Sequence, residues 1–134
     1  LIGSFEKVIN EIKPEQIYIP NPSYNQDHKT VYDAAMVALR PLKSYKVSKI
    51  FSYETLSETE WAYPNTDNFF HPNVFVDISD FLSTKLDAME MYKSQLKLFP
   101  NPRSTKALKA LANYRGSTIN VEAAESFILI RQIY

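Results

Sequence analysis

The first 53 residues alternate between helical and strand patterns, and this alternation constrains the fold more than any other feature of the sequence. Apolar residues recur on one helical face over 2–12, and the apolar segment 16–20 is bounded by prolines and predicts a short buried strand. Helical spacing returns over 29–39 until Pro41 stops it, and 47–53 predicts a second strand. This succession is typical of a parallel sheet with crossover helices, whose ligands bind beyond the carboxyl ends of the strands.

A third strand and a third helix are predicted after residue 73. The segment 74–78 is apolar and β-branched, which favours a short strand. Asp77 or Ser79 can then cap a helix that runs to about residue 92.

The last third of the sequence predicts one more helix and one more strand. Ser104 can cap the helix, and Gly116 is expected to end it as a left-handed cap. Residues 126–134 predict the final strand. The sequence contains no repeat, low-complexity segment or linker, so we expect residues 1–134 to belong to one domain.

The segment 54–72 has no hydrophobic periodicity and is rich in Thr, Ser, Asn and aromatic residues. A loop of this length in a small domain is usually functional or mobile. Its aromatic side chains can stack on a sugar or attach the loop to the core, and the sequence leaves both interpretations open. These aromatic residues are Trp61, Tyr63, Phe69 and Phe70.

Composition argues against several classes of function. Fifteen basic and fifteen acidic residues give a formal net charge of zero, and no block of Lys or Arg runs along any segment, so we expect no nucleic-acid partner. Two glycines are too few for a phosphate-binding loop or a dinucleotide fingerprint. The longest apolar run, 127–130, is far too short to span a bilayer, so no transmembrane segment is expected.

The absence of cysteine excludes disulfides, zinc knuckles and thiol catalysis, and it suits a reducing compartment. We therefore expect a cytoplasmic protein. No serine lies in a Gly-x-Ser-x-Gly elbow, which disfavours a Ser-His-Asp triad.

The most informative candidate site follows the first predicted strand, where Asn25, Asp27 and His28 precede the second helix. Catalytic zinc takes three protein ligands and one open position for water, and His28 is of a suitable type. Asp27 points in a different direction at the helix N-terminus, so it is better suited to orient a ligand or to transfer a proton than to bind the same ion. A lone histidine at a helix start is also typical of a solvated or capping residue. The other histidine, His71, is interpreted as a loop-packing residue.

Four further carboxylates are candidates for metal or acid/base roles by residue type alone. Each of them can instead cap a helix or pair with Lys85, Arg115 or Arg131, and spacing does not rank them. They are Glu54, Asp77, Glu122 and Glu125.

A series of short motifs recurs in a specific order across nearly the whole chain. They are 17–20 followed by Asn25-Gln26-Asp27-His28, Ala38-Leu39-Arg40-Pro41, Tyr53-Glu54, Pro72-Asn73, Val76-Asp77-Ile78-Ser79, Lys85, Ser94-Gln95, Arg115-Gly116 and Ala124-Glu125-Ser126-Phe127. In this order and spacing they resemble the later part of the LmbE-like, or PIG-L, family of zinc-dependent de-N-acetylases, which act on N-acetylglucosaminyl compounds.

This resemblance implies an α/β, Rossmann-like three-layer fold with a mostly parallel sheet that lacks its N-terminal strand or strands. It also implies an N-acetylated amino-sugar substrate, places the third zinc ligand on His28, and gives Asp27 the role of orienting a neighbouring group. In many members a histidine that stabilises the oxyanion stands at the position of Asn25. Asn25 can donate a hydrogen bond there but carries no positive charge.

In that family an earlier His-Pro-Asp-Asp motif provides the other two ligands and the general base. The motif is absent from residues 1–134, so we expect it upstream of Leu1 and expect these residues to be the C-terminal portion of a single domain. One ligand does not hold zinc tightly, so such a portion is expected to be inactive alone. A sheet without its first strands exposes an edge, which favours association into a homo-oligomer. The alternative hypothesis is a non-catalytic sugar-binding or interaction domain that kept the fold without the metal site.

Overall fold

The alternation predicted for the first 53 residues is present in the computed structural model, which describes residues 1–42, 45–62 and 69–134. Helix α1 begins and ends close to the predicted bounds, and helix α2 begins before residue 29 because Asn25 caps it. The elements are α1 (Ile2–Ile12), β1 (Gln16–Pro20), α2 (Gln26–Ala38) and β2 (Lys49–Tyr53).

The later half contains β3 (Val74–Asp77), a 3₁₀ turn (Ser79–Phe81), α3 (Leu82–Glu90), α4 (Thr105–Ser117) and β4 (Ala124–Gln132). Contacts divide the chain into two units. The first consists of Leu1–Asn73 with Phe127–Tyr134, and the second of Val74–Ser126. Strand β4 contributes residues to both.

The sheet is mixed, with the strand order β1-β2-β4-β3. Strands β1 and β2 run parallel, as predicted, whereas β4 is antiparallel to β2. The expectation of a mostly parallel sheet is therefore only partly right. Phe127 pairs with Tyr53 at the end of β2, and Gln132 pairs with Lys49 at its start, so β4 runs back along β2.

One face of the sheet in the first unit packs against α1 and α2. The buried core between them contains one residue from each of three elements, Ile19 of β1, Ala35 of α2 and Ile50 of β2. It also contains Leu39, which follows α2, and Val47, which precedes β2. Small side chains on α2 let the helix approach the sheet closely, since Ala34, Ala35 and Ala38 are its buried residues. These buried residues follow the helical spacing that the sequence shows over 29–39.

The opposite face of the same strands carries an aromatic cluster. The Tyr18 ring stacks on Phe51 with 5.0 Å between ring centroids, and it meets the edge of Phe127 at 5.1 Å. Successive residues of a strand point to opposite faces, so Ile19 and Tyr18 serve different sides of the sheet. Offset and edge-on aromatic pairs of this kind add to the stabilisation that burial provides.

The second unit has its own small core, formed by Leu82 on α3, Ala112 on α4 and Ala123 just before β4. The two predicted capping roles take different forms. Ser104 Oγ accepts from the Ala107 amide at 3.2 Å and caps α4 as expected. Asp77 Oδ1 accepts from the Ser79 amide at 2.9 Å, which opens a 3₁₀ turn before α3 begins.

The prediction that Gly116 ends α4 as a left-handed cap is wrong. The helix continues to Ser117, Gly116 has no positive φ, and the left-handed residue is Asn120, with φ 61°. A Cβ at Gly116 would lie 2.7 Å from the Val121 carbonyl oxygen and 2.8 Å from Ala123 Cα. Glycine is needed here because the returning backbone passes directly over the helix.

Within the part of the chain that the structure describes, no helix has the length and apolar character needed to cross a membrane.

Replacing Gly116 with alanine is expected to lower the free energy of unfolding by about 1–3 kcal/mol, because the new methyl group overlaps backbone atoms that cannot move aside singly. The matched control is Gly3→Ala in α1, where a Cβ meets nothing within 4 Å. That variant is expected to be more stable by about 0.5–1 kcal/mol because alanine favours the helix. Urea unfolding of both variants measures the difference, and an unchanged Gly116→Ala midpoint would contradict the packing assignment.

Candidate functional site

The candidate site begins where β1 and β2 end side by side, with Pro20 paired to Tyr53. The Asn21 amide donates to the Tyr53 carbonyl at 2.8 Å, which extends the parallel pairing into the loop. The Ser52 hydroxyl donates to Asn21 Oδ1 at 3.3 Å, and both residues are buried. This polar pair fixes the start of the loop that leads to α2, because a buried polar group without a hydrogen-bond partner lowers the stability of the fold.

Asn25 caps the N-terminus of α2. Its Oδ1 accepts from the Asp27 amide at 2.9 Å and from the His28 amide at 3.4 Å. Its own backbone N–H donates to Ser23 Oγ at 3.2 Å. An asparagine at this position satisfies backbone donors that the first helical turn leaves without partners. The capping interpretation from the sequence thus applies to Asn25, which holds the backbone of both Asp27 and His28.

The amide nitrogen of Asn25 connects this helix to the loop after β2. Nδ2 donates to Glu58 Oε1 at 3.3 Å, across 33 residues of sequence. Glu58 lies in a turn that the Thr59 amide closes by donating to the Thr55 carbonyl at 2.9 Å. Sequence reasoning missed Glu58, because a polar residue in a loop without periodicity gives no sign of a partner so far away.

His28 lies in the first turn of α2 and is half-buried. Its Nδ1 is buried and accepts or donates no hydrogen bond within the described residues. Buried ring nitrogens normally have a partner, so this atom requires one that the described residues do not provide. A metal ion suits such a nitrogen, since neutral imidazole is the commonest protein ligand for zinc.

Asp27 precedes His28 on the helix and is exposed. Adjacent residues on an α-helix are about 100° apart around its axis, so the two side chains point in different directions. A carboxylate in the first helical turn also interacts favourably with the positive end of the helix dipole. The first turn of α2 therefore presents one imidazole of a type that binds zinc, on His28, and a separate carboxylate, on Asp27.

Among the residues described, no group of three His, Asp or Glu side chains is close enough to hold a metal ion. His28 is accordingly a single candidate ligand within this part of the chain. The other two residues of the predicted site, Asn25 and Asp27, lie beside it on the same helix N-terminus.

Burial raises the pKa of the Tyr32 hydroxyl, and the neighbouring Asp33 carboxylate raises it further. Tyr32 lies four residues after His28 and so on the same side of α2. Its hydroxyl therefore stays protonated throughout the physiological range. It provides an uncharged polar group on the helix surface that carries His28.

Two of the four other carboxylates have structural partners in the second unit. Glu125 Oε1 lies 2.5 Å from Lys85 Nζ, as the ion-pair interpretation predicted. Asp77 accepts hydrogen bonds from the hydroxyl and amide of Ser79, and these bonds lower the pKa of its carboxyl group. Both groups are explained by local structure without a bound metal.

Two aromatic side chains of the loop 54–72 are exposed. Trp61 and Phe69 leave 60% and 55% of their surface accessible, so neither is buried in the core. The His71 ring centroid lies 4.2 Å from that of Phe69, so this histidine packs against its own loop. Of the other two aromatic residues considered for sugar stacking, Phe70 is half-buried and Tyr63 lies outside the described residues.

Comparison with solved structures identifies the fold. The conserved protein TT1542 from Thermus thermophilus superposes with a TM-score of 0.74 at 23% identity, over 98% of this chain and 58% of that protein. N,N'-diacetylchitobiose deacetylase from Pyrococcus horikoshii, in complex with its inhibitor MPG, superposes with a TM-score of 0.69 at 20% identity, over 96% of this chain and 50% of the deacetylase.

These similarities confirm an α/β, Rossmann-like fold, which a deacetylase also adopts. This chain spans between half and three fifths of the length of the two proteins. No protein-family model matches the sequence.

Asn25→Ala is expected to lower the free energy of unfolding by about 1–2 kcal/mol, because it removes both the helix cap and the bond to Glu58. Asn25→Ser retains a capping oxygen but is too short to reach Glu58, so it should lose only part of that amount. Ser104→Ala, at a cap with no such long-range bond, provides the reference for loss of capping alone. If Asn25→Ala unfolds at the same urea concentration as the unsubstituted chain, the proposed connection contributes nothing.

Proposed function

We propose that this chain forms the later part of a zinc-dependent hydrolase of the LmbE-like, or PIG-L, family, which removes an acetyl group from an N-acetylglucosaminyl-type substrate. The observation that carries the proposal is the buried Nδ1 of His28, which has no hydrogen-bond partner among the described residues and lies where the family resemblance puts a zinc ligand. The shared fold with a diacetylchitobiose deacetylase supports the same reaction class.

We assign one zinc ligand, His28, to this chain and the remaining ligands to an earlier part of the intact protein. The two solved structures compared above are longer than this chain, which spans 58% and 50% of them. An upstream strand followed by His-Pro-Asp-Asp would provide the missing ligands and the general base. The encoded sequence before Leu1 tests this directly, and an upstream sequence without such ligands would refute the assignment.

Zinc, when bound, would supply Lewis-acid chemistry, because it would polarise the acetyl carbonyl and lower the pKa of water near neutral pH. The residues of this chain prepare the surroundings. Asn25 holds the amides of Asp27 and His28, so the cap orients the helical turn that carries the ligand. Its Nδ2 has two hydrogens, and Glu58 accepts a hydrogen bond from this nitrogen. We assign the other hydrogen to the developing oxyanion.

Asp27 is the acidic group next to the ligand, and its exposure leaves it free to orient a neighbouring polar group. We assign it a positioning role, because its direction on the helix differs from that of His28.

The substrate is proposed to lie beside the turn that contains Glu58. Trp61 lies three residues after Glu58, which bonds to the N-terminus of α2, and its indole is largely exposed. An exposed tryptophan beside a polar site is well suited to stack on the apolar face of a sugar ring. The specificity for an amino sugar would then come from this loop rather than from α2.

His28→Ala is expected to abolish stoichiometric zinc in the full-length protein, because two remaining ligands bind the ion weakly. The matched control is His71→Ala, which removes the second histidine of the chain and should leave the zinc content unchanged. Metal content is measured by mass spectrometry after purification, with circular dichroism to check folding. Equal zinc in the His28→Ala and unsubstituted proteins would contradict the ligand assignment.

Trp61→Ala is expected to raise KM for an N-acetylglucosaminyl substrate by about fivefold and to leave kcat within about twofold, because stacking contributes about 1 kcal/mol to binding alone. Acetate release by the full-length protein provides the measurement, and Phe69→Ala is the control for loss of an exposed aromatic residue. A full-length protein that purifies without zinc and binds the sugar without releasing acetate would instead establish the alternative, a non-catalytic sugar-binding domain that kept the fold without the metal site.

A further inference from the structure

Charge is distributed unevenly along this electrically neutral chain. Residues 91–121 contain six basic side chains and no acidic one, so the rest of the chain carries nine basic and fifteen acidic residues. No two of the six are adjacent, so they form no block of Lys or Arg. All six lie in the second unit: Lys93, Lys97, Arg103, Lys106, Lys109 and Arg115.

The segment 91–104, which we call the α3–α4 loop, is closed by its own hydrogen bonds. The amides of Gln95 and Leu96 donate to the Tyr92 carbonyl at 2.8 and 3.0 Å, and the Lys97 amide donates to the Arg103 carbonyl at 3.2 Å. A further turn joins the Asn101 amide to the Leu98 carbonyl at 3.0 Å. Residues 98–100 therefore form the tip of a structured loop.

The tip of this loop is apolar and exposed. Leu98 leaves 91% of its surface accessible and Phe99 55%, and the loop begins with Met91 and Tyr92, which are 79% and 66% exposed. Single exposed apolar residues are ordinary on a protein surface, but four in one loop of this length make it a candidate interaction site.

Basic residues lie beside this apolar tip. Lys106 Nζ lies 4.2 Å from the centroid of the Phe99 ring, and Lys109 follows it on the same side of α4. Lys97 directly precedes the two tip residues and is exposed. The Arg103 guanidinium donates to Gln95 Oε1 at 2.7 Å, which braces the two sides of the loop.

We propose that the α3–α4 loop docks this protein on a lipid bilayer that contains anionic headgroups, with Leu98 and Phe99 inserted among the lipid chains. Lysines around the tip would meet the headgroups, each contributing about a fivefold increase in partitioning. Apolar residues next to basic ones are typical of surfaces that lie in the membrane interface. This inference does not depend on the deacetylase proposal.

An anionic bilayer accounts for the exposed apolar side chains of the tip better than nucleic acid, which a basic surface also attracts. Nucleic-acid binding uses basic side chains with stacked aromatic rings, and an aliphatic side chain as exposed as Leu98 gains nothing from a phosphate backbone. In a bilayer the same side chain leaves water and becomes buried in hydrocarbon. The combination of charge and aliphatic exposure therefore favours lipid.

The first test is sedimentation of the protein with vesicles of three parts phosphatidylcholine to one part phosphatidylserine. We expect binding that is absent with pure phosphatidylcholine and weakens as salt rises from about 0.1 to 0.5 M. Leu98→Ser with Phe99→Ser should reduce partitioning by about tenfold or more. The control is Leu42→Ser in the first unit, where leucine is 82% exposed but lies outside the acid-free segment.

A second test removes charge beside the tip. The double variant Lys97→Gln with Lys106→Gln should weaken vesicle binding by about 25-fold if each lysine contributes about fivefold.

A third test uses fluorescence. Because the chain has no cysteine, Leu98→Cys and Leu42→Cys can each be labelled with a polarity-sensitive fluorophore. The label at residue 98 should shift to the blue on anionic vesicles, and the label at residue 42 should not.

Three results would overturn the proposal. Vesicle binding that survives Leu98→Ser with Phe99→Ser would show that the tip is not inserted. Binding to heparin or duplex DNA with an affinity that exceeds vesicle binding, and without dependence on the tip, would assign the surface to a soluble polyanion. A concentration-dependent dimer that the tip substitutions abolish, without vesicle binding, would assign it to a second copy of this chain.

Discussion

Because β1 and β2 run parallel, the loops that follow them leave the sheet at the same edge. The Asn21 amide extends this pairing to Tyr53, and the buried bond between Ser52 and Asn21 holds the first loop in place. Asn25 and Glu58 belong to different loops, and they meet only because both loops start from adjacent strand ends. An antiparallel arrangement of the same two strands would put these residues at opposite ends of the sheet.

Helix α2 transmits this constraint to the candidate ligand. Its buried alanines pack against the sheet, and Asn25 caps its first turn, which carries His28. At the other end, the Arg131 guanidinium donates to the Leu39 carbonyl just beyond the helix. A ligand on a helix fixed in this way is positioned more accurately than one on a free loop.

The two units divide the proposed roles. The candidate metal ligand and the aromatic loop belong to the first unit, whereas the basic segment and its apolar tip belong to the second. The second unit has a small core, in which Gly116 lets the backbone return within van der Waals distance of α4. An ordered loop between two packed helices can therefore present Leu98 without support from a larger core.

Most helices and strands could be predicted because their signals are local. Amphipathic spacing located α1 and the buried face of α2, and prolines located the ends of β1. Gly116 was misassigned because a glycine near a helix end has the same local pattern whether it turns the chain or admits a close neighbour. Glu58 and the direction of β4 could not be predicted, because each depends on a partner distant in sequence.

The sequence by itself determined the α/β class, the position of the Asn25 to His28 step after the first strand, and the residue types available for zinc chemistry. These follow from periodicity and composition, which act over a few residues. Only the tertiary structure decided that Asn25 joins two loops, that Nδ1 of His28 is buried without a partner among the described residues, and that Leu98 is exposed among lysines. Burial and long-range hydrogen bonds depend on how the chain packs, and packing is not encoded in any single segment.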